Sequence, residues 1–220
     1  MPLFISGSNG ISGADGTAAL PAVQGTDGNT GVFFPAADQV AIATGGVQRL
    51  LVDASGNVTT GVGSLYPLVS GTAVASTSGT AIDFTGIPSW VRRVTVMFSG
   101  VSTNGTSNVQ VQIGSGSFVT SGYSSSTAQS NNAVPLGNFT TGFSLTSTTS
   151  AANTQQGAIT LTTIGGNSWV LSAVIWGSAG AINSSAGVSP ALSGPLDRVR
   201  ITTVNGTDVF DAGSINILFE

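Results

Sequence analysis

Nine carboxylates and five guanidiniums are all the charge this 220-residue chain carries, and it holds no histidine, cysteine or lysine. Without histidine there is no Ser-His-Asp triad and no imidazole metal site. Without cysteine there is neither a disulfide nor a thiolate ligand or nucleophile. No cofactor and no metal is expected. Glycoside hydrolysis would need two carboxylates held at a fixed separation. Asp15, Asp27, Asp38 and Asp53 instead fall among turn residues, where aspartate caps backbone amides. Asp83 sits in a strand-like run, and Asp208 and Asp211 form a close pair beside the hairpin signal Asn205-Gly206. Asp27-Gly28-Asn29 has the look of a calcium loop but lacks the further oxygen ligands and the glutamate of an EF-hand. An enzyme is therefore not expected. Two groups could bind without reacting. Arg92-Arg93 beside Trp90 could hold a phosphate or a sugar, or could be spent on neighbouring backbone and on an aspartate, with Asp197-Arg198-Val199-Arg200 in the same network. Tyr123 stands alone in the polar run Ser121–Asn132, where its ring could stack on a sugar face. Gln129, Asn131 and Asn132 would add amides to it, which makes these four residues the expected receptor contacts.

Charged residues make up 6% of the chain, against roughly 25% in ordinary domains. The mean hydropathy is nonetheless +0.35, which argues against disorder. A chain so apolar and so poorly charged must cover its surface, and burial between identical subunits does that. The net charge of −4 and the lack of a basic stripe exclude a nucleic-acid partner. Met1–Gly7 has neither the basic nor the long apolar region of a secretory signal. The longest apolar run, Trp169–Ile182, is interrupted by Ser172, Gly177, Ser178 and Gly180, so no membrane insertion is expected.

These residues must be held by strands. Val94, Val96 and Phe98 alternate with Arg93, Thr95 and Met97; Val109, Val111 and Ile113 alternate with Gln110 and Gln112; Val199 and Ile201 alternate with Arg198, Arg200 and Thr202. That is the period of a half-buried antiparallel sheet. Asn104-Gly105 and Asn205-Gly206 are hairpin signals. No stretch has sustained helical periodicity. The expected fold is all-β: an N-terminal β-hairpin module, then an antiparallel, jelly-roll-like β-sandwich. Residues 1–14 read as an extended arm, 15–60 as the hairpin module, 61–67 as a linker and 68–220 as the sandwich. Ser121–Asn132, Ser144–Gln155 and Gly177–Ser193 read as loops. Trp169 and Trp176 are an odd number of residues apart and should face opposite sides of one strand, one in the core and one at a subunit contact. In the hairpin module, Val40 and Ile42 share one strand face, and Leu50 and Val52 share another. A two-stranded hairpin is marginal alone, so copies of the chain are expected to wrap their hairpins about a shared axis.

Two stretches resemble a known family. Asn29-Thr30-Gly31-Val32-Phe33-Phe34-Pro35, then Ala37-Asp38-Gln39-Val40-Ala41-Ile42, Arg49-Leu50 and Val52-Asp53-Ala54-Ser55-Gly56-Asn57-Val58, is similar to the repeat of bacteriophage tail-fibre proteins. Asp83-Phe84-Thr85-Gly86-Ile87-Pro88-Ser89-Trp90-Val91-Arg92-Arg93-Val94-Thr95-Val96-Met97-Phe98 resembles a signature of phage-fibre head domains. The resemblance implies a structural protein of the virion, a homotrimeric tail fibre or appendage. Its hairpin module would be intertwined with those of its copies, its arm at residues 1–14 would be mounted on other virion proteins, and its head would recognise a host-surface polysaccharide. A head fibre or capsid decoration protein is the alternative; a polysaccharide depolymerase would need a clustered carboxylate pair that the sequence does not offer.

Overall fold

Alternating apolar and polar residues make strands, and in the computed structural model every regular element among the described residues is a β-strand. The structure describes residues 4–6, 10–12, 15–61, 63–130, 132–146, 150–151 and 153–220. They fall into two compact units, Met1–Pro67 and Leu68–Glu220.

In the first unit, β1 (Phe4–Ser6) and β2 (Gly10–Ser12) pair as a short antiparallel hairpin within the segment expected to be extended. β3 (Val23–Gln24), β4 (Gly31–Phe33), β5 (Val40–Thr44), β6 (Val47–Val52), β7 (Val58–Thr60) and β8 (Gly63–Leu65) follow as a six-stranded meander, each paired antiparallel with the next. β8 thus occupies the stretch read as a linker. Short polar turns close the meander. Between β6 and β7 the Asp53 carboxylate accepts the Ser55 and Asn57 amides at 2.9 Å and the Asn57 side chain at 3.0 Å. Those donors hold its carboxyl below the ordinary 3.8. Asp27 likewise caps its turn, taking the Thr30 hydroxyl at 2.7 Å. The apolar cluster of this unit is small: Phe33, Ala41 and Ala43, with Ala18 and Leu51 against it. On β5 the alanines point inward, while Val40 and Ile42 are 37% and 43% exposed. Val40 and Ile42 do share a face, and it is the uncovered one.

The second unit is an antiparallel β-sandwich. Its strands are β9 (Val69–Ser70), β10 (Val74–Ala75), β11 (Ala81–Thr85), β12 (Arg93–Thr103), β13 (Val109–Ser115), β14 (Ser117–Phe118), β15 (Ser124–Gln129), β16 (Asn132–Phe139), β17 (Phe143–Ser144), β18 (Gln155–Gly165), β19 (Ser168–Gly177), β20 (Ala181–Val188), β21 (Arg198–Thr203) and β22 (Phe210–Phe219). The larger sheet runs β10-β22-β12-β18-β19-β20-β15-β16, with β9 also on β22. The smaller runs β11-β21-β13, with β14 and β17 both on β13. One hydrophobic cluster draws on both sheets. Val94, Val96, Phe98, Ile159, Leu161 and Ile217 come from the larger, and Ile82, Phe84, Val111, Ile113, Val199 and Ile201 from the smaller. The alternations seen in β12, β13 and β21 thus point where their period requires. Trp169 is buried and Trp176 exposed, on opposite faces of β19.

A bulge divides β12. Its register with both neighbours shifts after Phe98 and Ser99, at Gly100. Gly213 of β22 crosses there with φ +90°, and a Cβ on it would lie 2.5 Å from the Gly100 carbonyl carbon. Only glycine fits at that crossing.

Two strands lie where loops were expected. β15 occupies half of Ser121–Asn132, and β20 occupies much of Gly177–Ser193. Both alternate in burial, but Ser125, Thr127, Asn183 and Ser185 are the inward residues. The Thr127 hydroxyl donates to Ser144 O at 2.8 Å and accepts from Ser185 at 3.0 Å; Ser125 donates to Gly142 O at 3.0 Å. Hydroxyl groups line this end of the sandwich instead of methyl groups. The chain leaves the larger sheet after Phe139 and joins the smaller one at Phe143.

Candidate functional site

Tyr123 is not a surface platform. It is 2% exposed, its ring meets Phe143 edge-on with centroids 5.0 Å apart, and its hydroxyl is fully engaged. That oxygen accepts the Ile113 amide at 2.9 Å and donates to Val119 O at 3.0 Å. Burial pushes the phenol from 10.0 up to about 12. The assignment of receptor contact to Tyr123 is therefore corrected: the residue ties the chain after β14 into the core. Of its expected companions, Gln129 is half-buried at the end of β15, in register with Asn183 of β20 and Asn132 of β16. Asn132 opens β16, and Asn131 lies outside the described residues. With Tyr123 buried, the expected platform does not face solvent. Part of Ser144–Gln155, at 147–149 and 152, also lies outside the described residues.

The carboxylates are dispersed. Asp208 accepts the Ser107 amide at 2.8 Å and the Asn205 side chain at 2.6 Å, whereas Asp211 accepts the Ser102 hydroxyl. Each of the pair is thus spent on a separate structural bond. Among the described residues no three His, Cys, Asp or Glu side chains gather into a metal site. Among the described residues no helix is long and apolar enough to cross a membrane.

The guanidiniums are more instructive. Arg200 on β21 stands opposite Asp83 on β11 and grips it bidentately, Nε to Oδ1 at 2.8 Å and Nη2 to Oδ2 at 2.7 Å. Arg198 grips Asp197 with the same two nitrogens at 2.7 and 3.2 Å. Those bonds hold the Asp197 carboxyl below its ordinary value. Both guanidiniums lie by the Phe118 ring, 4.1 Å from its centroid for Arg200 and 5.6 Å for Arg198. Arg93 pairs with Glu220. Arg92 differs: its Nη1 donates to Ser89 O at 3.0 Å and Val91 O at 3.1 Å, and no carboxylate of the described residues meets it. The sequence brought Arg92 and Arg93 forward together; the structure separates their roles.

Arg92 borders a cleft of about 410 Å³. Ser89 and Val91 lie on its approach to β12, the turn Gly165-Gly166-Asn167 between β18 and β19 forms a rim, and Trp169, Pro195 and Leu196 close it. No acidic side chain lines it. A second depression, about 300 Å³, lies over the smaller sheet and is floored by Gln110 and Gln112. These amides are already engaged, Gln110 with the Thr141 hydroxyl and Thr203 O and Gln112 with Thr141 O. A further surface feature is apolar. Val174 and Trp176 on β19 and Ile182 on β20 are exposed, and Trp176 stands directly opposite Ile182.

No protein-family model, no curated protein and no solved structure matches this chain. The functional reading therefore rests on the residues themselves.

Proposed function

We propose that this chain is a structural protein of a bacteriophage virion, a tail fibre or appendage. It assembles as a homotrimer through its first unit and carries the sandwich as a head that recognises a host-surface glycan. Residues 1–14 contact other virion proteins. The observation that carries this reading is the inverted burial of β5, where Ala41 and Ala43 are enclosed and Val40 and Ile42 face out. A monomer places its large apolar residues inside, so a strand that does the reverse is built for a cover supplied by another chain. Val47, Leu20 and Phe34 of the same unit are exposed as well. The tail-fibre resemblance spans this strand, and three copies around one axis would bring the three outward faces together.

Light scattering of the purified chain at micromolar concentration is expected to return three times the chain mass. Peptides from it are expected among the proteins of purified particles. A monomer mass, or particles free of the chain, overturns the proposal.

A further inference from the structure

We infer that the Nε–Nη2 edge of Arg92, together with the cleft it borders, binds an oxyanion carried by a polysaccharide. The inference rests on the glycan-recognition reading for the nature of the polymer, and on the geometry for its charge. Three observations converge. First, Arg198 and Arg200 both present their Nε and Nη2 to a carboxylate. On Arg92 the other terminal nitrogen is the anchored one, held by two carbonyls. The Nε–Nη2 edge, the fork that takes a planar or tetrahedral oxyanion bidentately, meets no partner among the described residues. Second, the base of this side chain is fixed. The Arg92 amide donates to Glu220 O at 2.8 Å, and the Arg92 carbonyl accepts the Thr163 amide at 3.0 Å. Little ordering is left to be done on binding. Third, the facing rim admits a ligand. Gly165 and Gly166 have φ of +96° and +58°, and a Cβ on either would project into open space. Residues with side chains at these positions would be strained and would narrow the opening.

A carboxylate of a uronate and a phosphodiester of a polyol-phosphate chain share this chemistry. Both are anions with paired oxygens, and the Nε–Nη2 fork matches either. Neutral sugars offer this edge only uncharged hydroxyl acceptors, which bind it more weakly than an oxyanion does.

The test is titration calorimetry of the full chain with three probes: polygalacturonate, a glycerol-phosphate polymer and neutral galactan. At least one acidic polymer is expected to bind, more weakly as salt rises, and galactan is not. Arg92→Gln should weaken that binding about tenfold or more. Ser89→Glu, at an exposed position, should do the same by supplying a competing carboxylate. Arg49→Gln removes equal charge from the other unit and should leave binding within about twofold. Binding of polygalacturonate alone identifies a carboxylate ligand, and of the phosphate polymer alone a phosphodiester. If neither acidic polymer binds, or if Arg49→Gln weakens binding as much as Arg92→Gln, the inference is wrong. The assay uses purified chain and the virion test uses particles, so either reading can fail without the other.

Discussion

At the scale of single residues, the chemistry-bearing side chains of this protein are mostly employed in holding it together. Tyr123 is the plainest case. Its phenol titrates near 10.0 in an unfolded chain and at about 12 in the folded one. Above pH 10 the unfolded chain sheds a proton that the folded chain keeps, and this favours unfolding. Its contribution is therefore complete below pH 10 and is lost as pH climbs toward 12. Tyr123→Phe is expected to cost about 1–3 kcal/mol at neutral pH, because the buried Ile113 amide loses its acceptor. The variant should also lose less stability than the parent between pH 9 and 11, measured by urea denaturation. An equal alkaline loss in both chains would remove Tyr123 from that account. The sequence showed an isolated aromatic among Ser and Gly, a pattern shared by a stacking platform and a core anchor. The deciding fact is the bond to Ile113, ten residues away, and no local pattern carries it. Arg92 was legible as a candidate because it is an arginine beside Trp90. That Arg93 is neutralised by Glu220 and Arg92 is not depends on which strands are neighbours.

At the scale of elements, the strands that announce themselves are those whose inward residues are Val, Ile, Leu or Phe. β12, β13 and β21 follow this rule and were legible from hydrophobic alternation. β15 and β20 obey the same period with hydroxyl and amide groups inward, where a hydrophobic reading finds nothing. Their burial is tolerated because Ser185 bonds Thr127, and Thr127 and Ser125 each donate to a nearby carbonyl. The bulge in β12 gives this scale its prediction. Gly213→Ala should destabilise the sandwich by about 2 kcal/mol or more, since the new methyl would meet the Gly100 backbone at a φ that already strains it. Gly180→Ala has a similar φ of +86° but open space around it, and should cost about 1 kcal/mol. Thermal melts of the two variants separate crowding from strain. Equal losses would mean that the crossing relaxes freely.

At the scale of the whole molecule, the two units differ in how they are stabilised. The sandwich encloses a large two-sheet cluster, whereas among the described residues of the first unit the enclosed apolar side chains are Phe33 and two alanines. So little burial cannot offset the ordering of some fifty residues. Scanning calorimetry of the full chain is expected to show two transitions. One, from the sandwich, stays fixed as protein concentration changes; the other rises by several degrees per tenfold increase, as assembly-linked folding requires. A concentration-independent first unit would show that it stands alone. The strand order of the sandwich has a further result for how the protein is made. β22 is the last strand in chain order, yet it bonds to β9, β10 and β12, more than a hundred residues earlier. As the chain leaves the ribosome, β12 is out long before its partner, with one edge bare and almost no charge nearby to discourage pairing with another chain. A ribosome paused before residue 210 would hold an unfinished sheet, so the sandwich closes only after β22 has emerged.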